Sequence, residues 1–159
     1  MDAHSTFLAG SCAFVAWLAV GSRPPGPTLP ACAGGPADGE CALPATSLGV
    51  GVLHGRLVDA ATDKPAFRID ARLVALPAPC DACIQGEIQG SLDDASGDQA
   101  EFVVSGEYAG TNFGGVGQFQ LRVFKPNGGP ALGTLNGTFE DPPGDDQGGR
   151  FTAEWRICP

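Results

Sequence analysis

Cys80-Asp81-Ala82-Cys83 is the spacing in this chain with the clearest chemical meaning. A CxxC pair exchanges disulfides when one thiolate is stabilised, usually at a helix N-terminus that follows a strand. Here Pro77 and Pro79 precede the pair and the strand-like Ile84-Gln85-Gly86 follows it, so no helix is at hand. The expectation is a structural disulfide, with a thiol-disulfide enzyme using residues 80–83 as the second alternative. Cys32, Cys41, Cys80 and Cys83 could in number form a four-cysteine zinc site. The Cys32/Cys41 spacing is far wider than the two to four residues of a metal knuckle, so no metal is assigned.

Nucleophilic catalysis needs a base beside the nucleophile. The histidines are His4, in an apolar leader, and His54, inside a strand pattern, and neither sits in a recognisable catalytic motif. Paired carboxylates occur at Asp93/Asp94, Glu140/Asp141 and Asp145/Asp146, all in or beside turn sequences, where Asp is favoured for its local backbone bonds. Asp94-Ala95-Ser96-Gly97-Asp98 lacks the alternating ligands and distal glutamate of a calcium loop. No catalytic residue and no cofactor is therefore assigned. The remaining candidates are aromatic: Tyr108, Phe113 in a glycine-rich loop, and Phe124, any of which could form a ligand platform.

The elements that must position these residues are strands. A glycine, one polar residue and a large apolar residue recur at Gly86-Glu87-Ile88, Gly106-Glu107-Tyr108, Gly117-Gln118-Phe119, Gly133-Thr134-Leu135, Gly137-Thr138-Phe139 and Gly149-Arg150-Phe151. Gly86/Gly90 and Gly133/Gly137 lie four apart, two pleats, so each pair shares one face of its strand. Glycine inside a strand marks a bend or a close backbone approach, and its repetition implies a coiled or closed sheet. Period-two alternation predicts seven strands, at residues 50–58, 67–76, 84–92, 101–109, 116–124, 131–140 and 150–158. Short polar turns between them, including Asn127-Gly128, favour an antiparallel meander. The predicted fold is all-β: a single up-and-down barrel or sandwich of about seven to eight strands.

Before the strands come two other segments. Residues 6–21 are apolar, about right for a signal-peptide core and short for a membrane span, although Met1-Asp2-Ala3-His4 carries no Lys or Arg. Residues 1–21 are thus expected to be a signal peptide or membrane-targeting leader, and a membrane contact is expected only if it stays uncleaved. Residues 22–47 contain six prolines and read as a linker, with Cys32 and Cys41 closing a local loop. Residues 48–159 form the β domain. Loss of the leader would remove Cys12 and leave Cys32, Cys41, Cys80, Cys83 and Cys158 as disulfide candidates, with one thiol over. Cys83 and Cys158, at strand ends, are well placed to tie the sheet. This cysteine usage suits a secreted, periplasmic or cell-surface protein.

A net charge of −9 works against nucleic acid, which selects clustered Lys and Arg. Two local resemblances complete the reading. Residues 55–65, Gly55-Arg56-Leu57-Val58-Asp59 through Lys64-Pro65, resemble the opening strand and turn of carboxypeptidase regulatory-like β-sandwich domains. Val104-Ser105-Gly106-Glu107-Tyr108, Leu135-Asn136-Gly137-Thr138-Phe139 and Phe151-Thr152-Ala153-Glu154-Trp155 are similar in rhythm to strands of avidin-like barrels. Biotin binding is not implied, because Trp17 and Trp155 are the only tryptophans and Trp17 lies in the leader. The functional expectation is an exported, non-catalytic binding or surface module whose protein or small-molecule partner the sequence does not name. The first alternative is a small-molecule-binding barrel.

Overall fold

The structure, a computed structural model, describes residues 32–46, 49–96, 99–141 and 148–159. The leader expected at 1–21 and Asp145/Asp146 lie outside the described residues. Eight antiparallel strands follow one another in chain order: β1 (Ala33–Ala42), β2 (Val50–Asp59), β3 (Lys64–Ala75), β4 (Cys83–Asp94), β5 (Ala100–Thr111), β6 (Val116–Phe124), β7 (Gly133–Glu140) and β8 (Gly149–Ile157). Each pairs with the next, and β8 pairs back onto β1 from Ala33↔Ile157 to Cys41↔Gly149. The sheet is a closed up-and-down barrel, not a sandwich. Residues 55–65, whose sequence resembles a sandwich opening, form the β2–β3 hairpin of that barrel.

Within the linker expected at 22–47, of which residues 22–31 and 47 lie outside the described residues, Ala33–Ala42 is strand β1, and for that stretch the expectation is corrected. Its inward positions are Gly35, Ala37, Gly39 and Cys41, small residues that carry little hydrophobic signal. Pro36 falls beyond the β1–β2 ladder, which begins at Ala37↔Leu57, so at that position β1 has β8 for a ladder partner. A proline is tolerated where one side of a strand is unpaired. The extended strand also rules out the expected Cys32–Cys41 loop. Its length, at about 3.3 Å per residue, sets the two cysteines roughly 30 Å apart.

The interior is filled. Leu53, Leu57, Ile69, Leu73, Ile88, Leu92, Leu121 and Leu135 are fully buried at inward positions, and most of their outward neighbours are polar, with Val52 and Val74 as exposed exceptions. Aromatics form two layers. Near the end where the chain enters and leaves, Phe67 packs edge-on to Phe102 at 5.5 Å and to Trp155 at 5.6 Å. Trp155 Nε1 donates to the carbonyl of Val58 at 2.9 Å, which satisfies the indole as it is buried. Toward the far end, Phe119 meets Phe151 at 5.8 Å and Tyr108 meets Phe139 at 6.1 Å.

The far-end rings fit because one neighbouring strand lacks a side chain opposite each of them. Phe151 is in register with Gly39, which is in register with Gly55. A Cβ on either glycine would fall 2.7 Å from the Phe151 ring. The device recurs: Phe119 lies opposite Gly137, Tyr108 opposite Gly86, and Phe139 opposite Gly117. Inward glycines occur in every strand except β3, where the small Ala71 faces Gly90. The glycine pairs four apart thus face inward.

Outward positions carry charged or amide side chains on every strand, from Asp38 and Glu40 on β1 to Glu154 and Arg156 on β8. That is the reverse of a lipid-facing barrel wall. Among the described residues, no helix is long and apolar enough to cross a membrane.

Gly137→Val should destabilise by about 1–3 kcal/mol, since inserting methyl groups into a packed interior forces neighbours apart. Its Cβ would lie 2.8 Å from Phe119 Cζ and 2.6 Å from Ala153 Cβ. The adjacent outward change Thr138→Ala should stay within about 0.5 kcal/mol. Urea titration of both variants checks the contrast.

Candidate functional site

The described cysteines sort by position along the barrel. Cys32 and Cys158 bond across the ends of the β1–β8 seam, locking the first strand to the last over a separation of 126 residues. Cys80 bonds Cys83 within the turn before β4. The tie expected between Cys83 and Cys158 is therefore not made, because β4 begins and β8 ends at opposite ends of the barrel. The odd thiol is Cys41, buried on β1. Two disulfides are consistent with an extracellular, oxidising location.

The two bridges differ in what they do for stability. In the loop-entropy picture, closing a loop of more than a hundred residues is worth up to about 5 kcal/mol, and closing a turn of four about 2 kcal/mol. The Cys80–Cys83 turn is moreover held by other bonds. Cys83 N donates to Cys80 O at 3.0 Å, and Asn112 N donates to Ala82 O at 2.9 Å. Asn112 Nδ2 donates to Asp81 O, also at 2.9 Å.

The three aromatic candidates do not come together. Tyr108 points into the barrel, 3% exposed, with its hydroxyl where a Gly86 side chain would be. Phe113 stands in the β5–β6 loop at the far end and is 76% exposed. Phe124 closes β6 at the entry end, half-buried on the outer wall. Phe113 and Phe124 thus lie at opposite ends of the barrel.

The polar candidates resolve into local contacts. His54 is on the outer wall, between Glu40 of β1 and Asp70 of β3 in the ladders. Asp93 accepts from Ser91 Oγ at 2.8 Å, and Asp94 accepts from Ser96 Oγ at 2.6 Å. Asp141 accepts from the backbone N of Leu43 at 2.9 Å, joining the β7–β8 loop to the β1–β2 loop. Among the described residues, no three His, Cys, Asp or Glu side chains converge as a cation site.

The feature missed in the sequence is a groove on the outer wall of β4–β7. It has a volume of about 560 Å³ and is lined by Gln85, Glu107, Ala109, Gln118, Gln120 and Asn136, with Leu76, the sequence candidate Tyr108 and Phe119 also in its lining. Two ladder rows build it. Gln85, Ala109 and Gln118 are in register across β4, β5 and β6. Glu107, Gln120 and Asn136 are in register across β5, β6 and β7. Ala109 leaves depth between flanking amides, and the floor is thinned where Gly86 and Gly137 lack side chains. The lining combines neutral donors and acceptors and one carboxylate with the apolar Leu76 and the rings of Tyr108 and Phe119, and it holds no cationic side chain. A search for alternation finds the strands but not this, because the groove arises from which outward residues share a row across four strands.

No protein-family model matches this chain, and neither a curated protein nor a solved structure does. What the fold defines is a class, the closed eight-stranded up-and-down barrel with a packed interior.

Cys41 yields a test of the far end. Burial, and then the Asp141 carboxylate, push its thiol up from 9.0 to about 12. Burial, and then Cys41, also push up the Tyr108 phenol. A raised folded-state pKa contributes stability below the unfolded value that is lost as pH rises through the folded one. Stability should therefore fall between pH 9 and about 12, with this thiol contributing a slope approaching 1.4 kcal/mol per pH unit, roughly. Urea midpoints against pH should show that fall, and Cys41→Ala should make it shallower, leaving the part that comes from the buried Tyr108 phenol.

Proposed function

We propose that the protein is an exported, non-catalytic binding module that works through the outer wall of its barrel. The single observation carrying this is the groove across β4–β7, with its ordered amide rows. A packed interior favours the outer wall over a ligand inside the barrel. Side-chain amides donate and accept with equal ease, as sugar hydroxyls do. With Glu107 in the wall and no cation beside it, an anionic ligand would meet repulsion. The best match is a neutral, polyhydroxylated chain such as an oligosaccharide. The two disulfides support export, since such bonds persist in oxidising compartments.

The test is amide chemical-shift mapping with a panel of neutral oligosaccharides, and with acidic oligosaccharides as the contrast. Binding should shift Ala109, Gln118 and Gln120 and spare the entry end. Gln118→Ala with Gln120→Ala should weaken binding at least tenfold, roughly 1.4 kcal/mol, without moving the unfolding midpoint. Shifts at the barrel ends only, tighter binding of the acidic panel, or no binding at millimolar concentration would contradict the reading.

A further inference from the structure

We propose that the Cys80–Cys83 disulfide is a stoichiometric thiol-exchange site, spent once per chain without turnover, that oxidises a cysteine-bearing peptide docked against Phe113.

The bridge is positioned to open without loss of the fold. It spans three residues of sequence in a turn, while the entry-end bridge spans 126. The turn keeps its shape through bonds that do not involve sulfur: Cys83 N to Cys80 O, Asn112 N to Ala82 O, and Asn112 Nδ2 to Asp81 O. Reduction would leave all three in place.

The bridge is also accessible from one side. Cys80 is exposed and Cys83 is half-buried at the start of β4, so an incoming thiolate meets Cys80 first. Exchange requires attack on an accessible sulfur along with departure of the other as thiolate.

Phe113 supplies a surface for the incoming group. It follows Asn112, whose backbone and side chain both bond to the residues between the two cysteines. Thr111 Oγ1 donates to Phe113 O at 3.2 Å, which fixes the loop on the other side. The ring is 76% exposed, the most exposed large hydrophobic among the described residues. An exposed aromatic one residue along the chain from the contacts to Asp81 and Ala82 suits contact with an apolar side chain of a partner. Asp81 and a net charge of −9 select against an acidic thiol and for a neutral or basic peptide.

The step balances within the two molecules. A peptide thiolate bonds to Cys80 Sγ, the Cys80–Cys83 bond breaks, and its electron pair leaves on Cys83, which takes a proton. The peptide's second thiolate then attacks the peptide sulfur of the mixed disulfide and releases Cys80 as thiolate, which is protonated in turn. The peptide dithiol becomes a disulfide, and the protein disulfide becomes a dithiol.

The test incubates the oxidised full chain with a synthetic basic peptide containing two cysteines and a phenylalanine. Alkylation and mass spectrometry then locate the new thiols. One peptide disulfide per protein is expected, with alkylation at Cys80 and Cys83, an intact Cys32–Cys158 bridge and an unchanged circular dichroism spectrum. Phe113→Ala should slow the peptide reaction several-fold and leave reduction by dithiothreitol unchanged. A peptide that stays reduced, a Cys32–Cys158 bridge that opens as fast, or a fold lost on reduction would overturn the exchange site. Equal peptide rates with and without Phe113 would overturn the docking.

Discussion

A barrel of eight strands encloses a space barely wide enough for its own side chains, and here that space holds several aromatic rings. At the far end each ring has a glycine opposite it on one neighbouring strand. The pairing of Phe151 with Gly39 and Gly55, and of Phe119 with Gly137, is therefore the interaction on which the rest depends. In these pairs the ring fills the gap that the glycine leaves, and the glycine is tolerated because the ring covers it. The energetic weakness of glycine in a strand is offset by the apolar burial that it allows.

Closure follows from the same fit. Strand β1 is built almost wholly from small residues and could not hold a sheet edge by hydrophobic burial of its own. It is held because Phe151 and Trp155 on β8 lie in register with Gly39 and Gly35, and because Cys32–Cys158 clasps the ends of the seam. With the interior filled and no sheet edge free, the surfaces left for contact are the outer wall and the loops at the two ends. The amide rows of β4–β7 lie on that outer wall, and the Cys80–Cys83 turn lies at the far end.

Much of this was legible in the sequence. Seven strands declare themselves through Phe67-x-Ile69-x-Ala71-x-Leu73 and similar alternations, and the spacing of Gly86/Gly90 and Gly133/Gly137 marks an inward face. The eighth was hidden because Gly35, Ala37, Gly39 and Cys41 alternate without bulk, and because Pro36 reads as a strand breaker. Gly35/Gly39 and Gly51/Gly55 repeat the same period of four, so the signal that located the later strands was present in β1 too. The disulfide pairing was misread with the strand: once Cys32 and Cys41 lie at opposite ends of an extended segment, neither can reach the other. Asn127-Gly128 marked a turn correctly but not a tight hairpin. Gly128 N donates to Lys125 O at 3.0 Å inside a longer loop, which Leu132 N closes onto Val123 O at 2.7 Å. The groove was out of reach because cross-strand register is not encoded in any one strand.

Ring currents give the most direct access to the aromatic-on-glycine seam. In a proton NMR spectrum of the oxidised protein, the Gly39 and Gly55 α-protons should be shifted well upfield by Phe151 and should show Overhauser contacts to its ring. Glycine α-protons at ordinary positions, with no cross-peaks between Phe151 and either residue, would mean that β1 does not close the barrel onto β8.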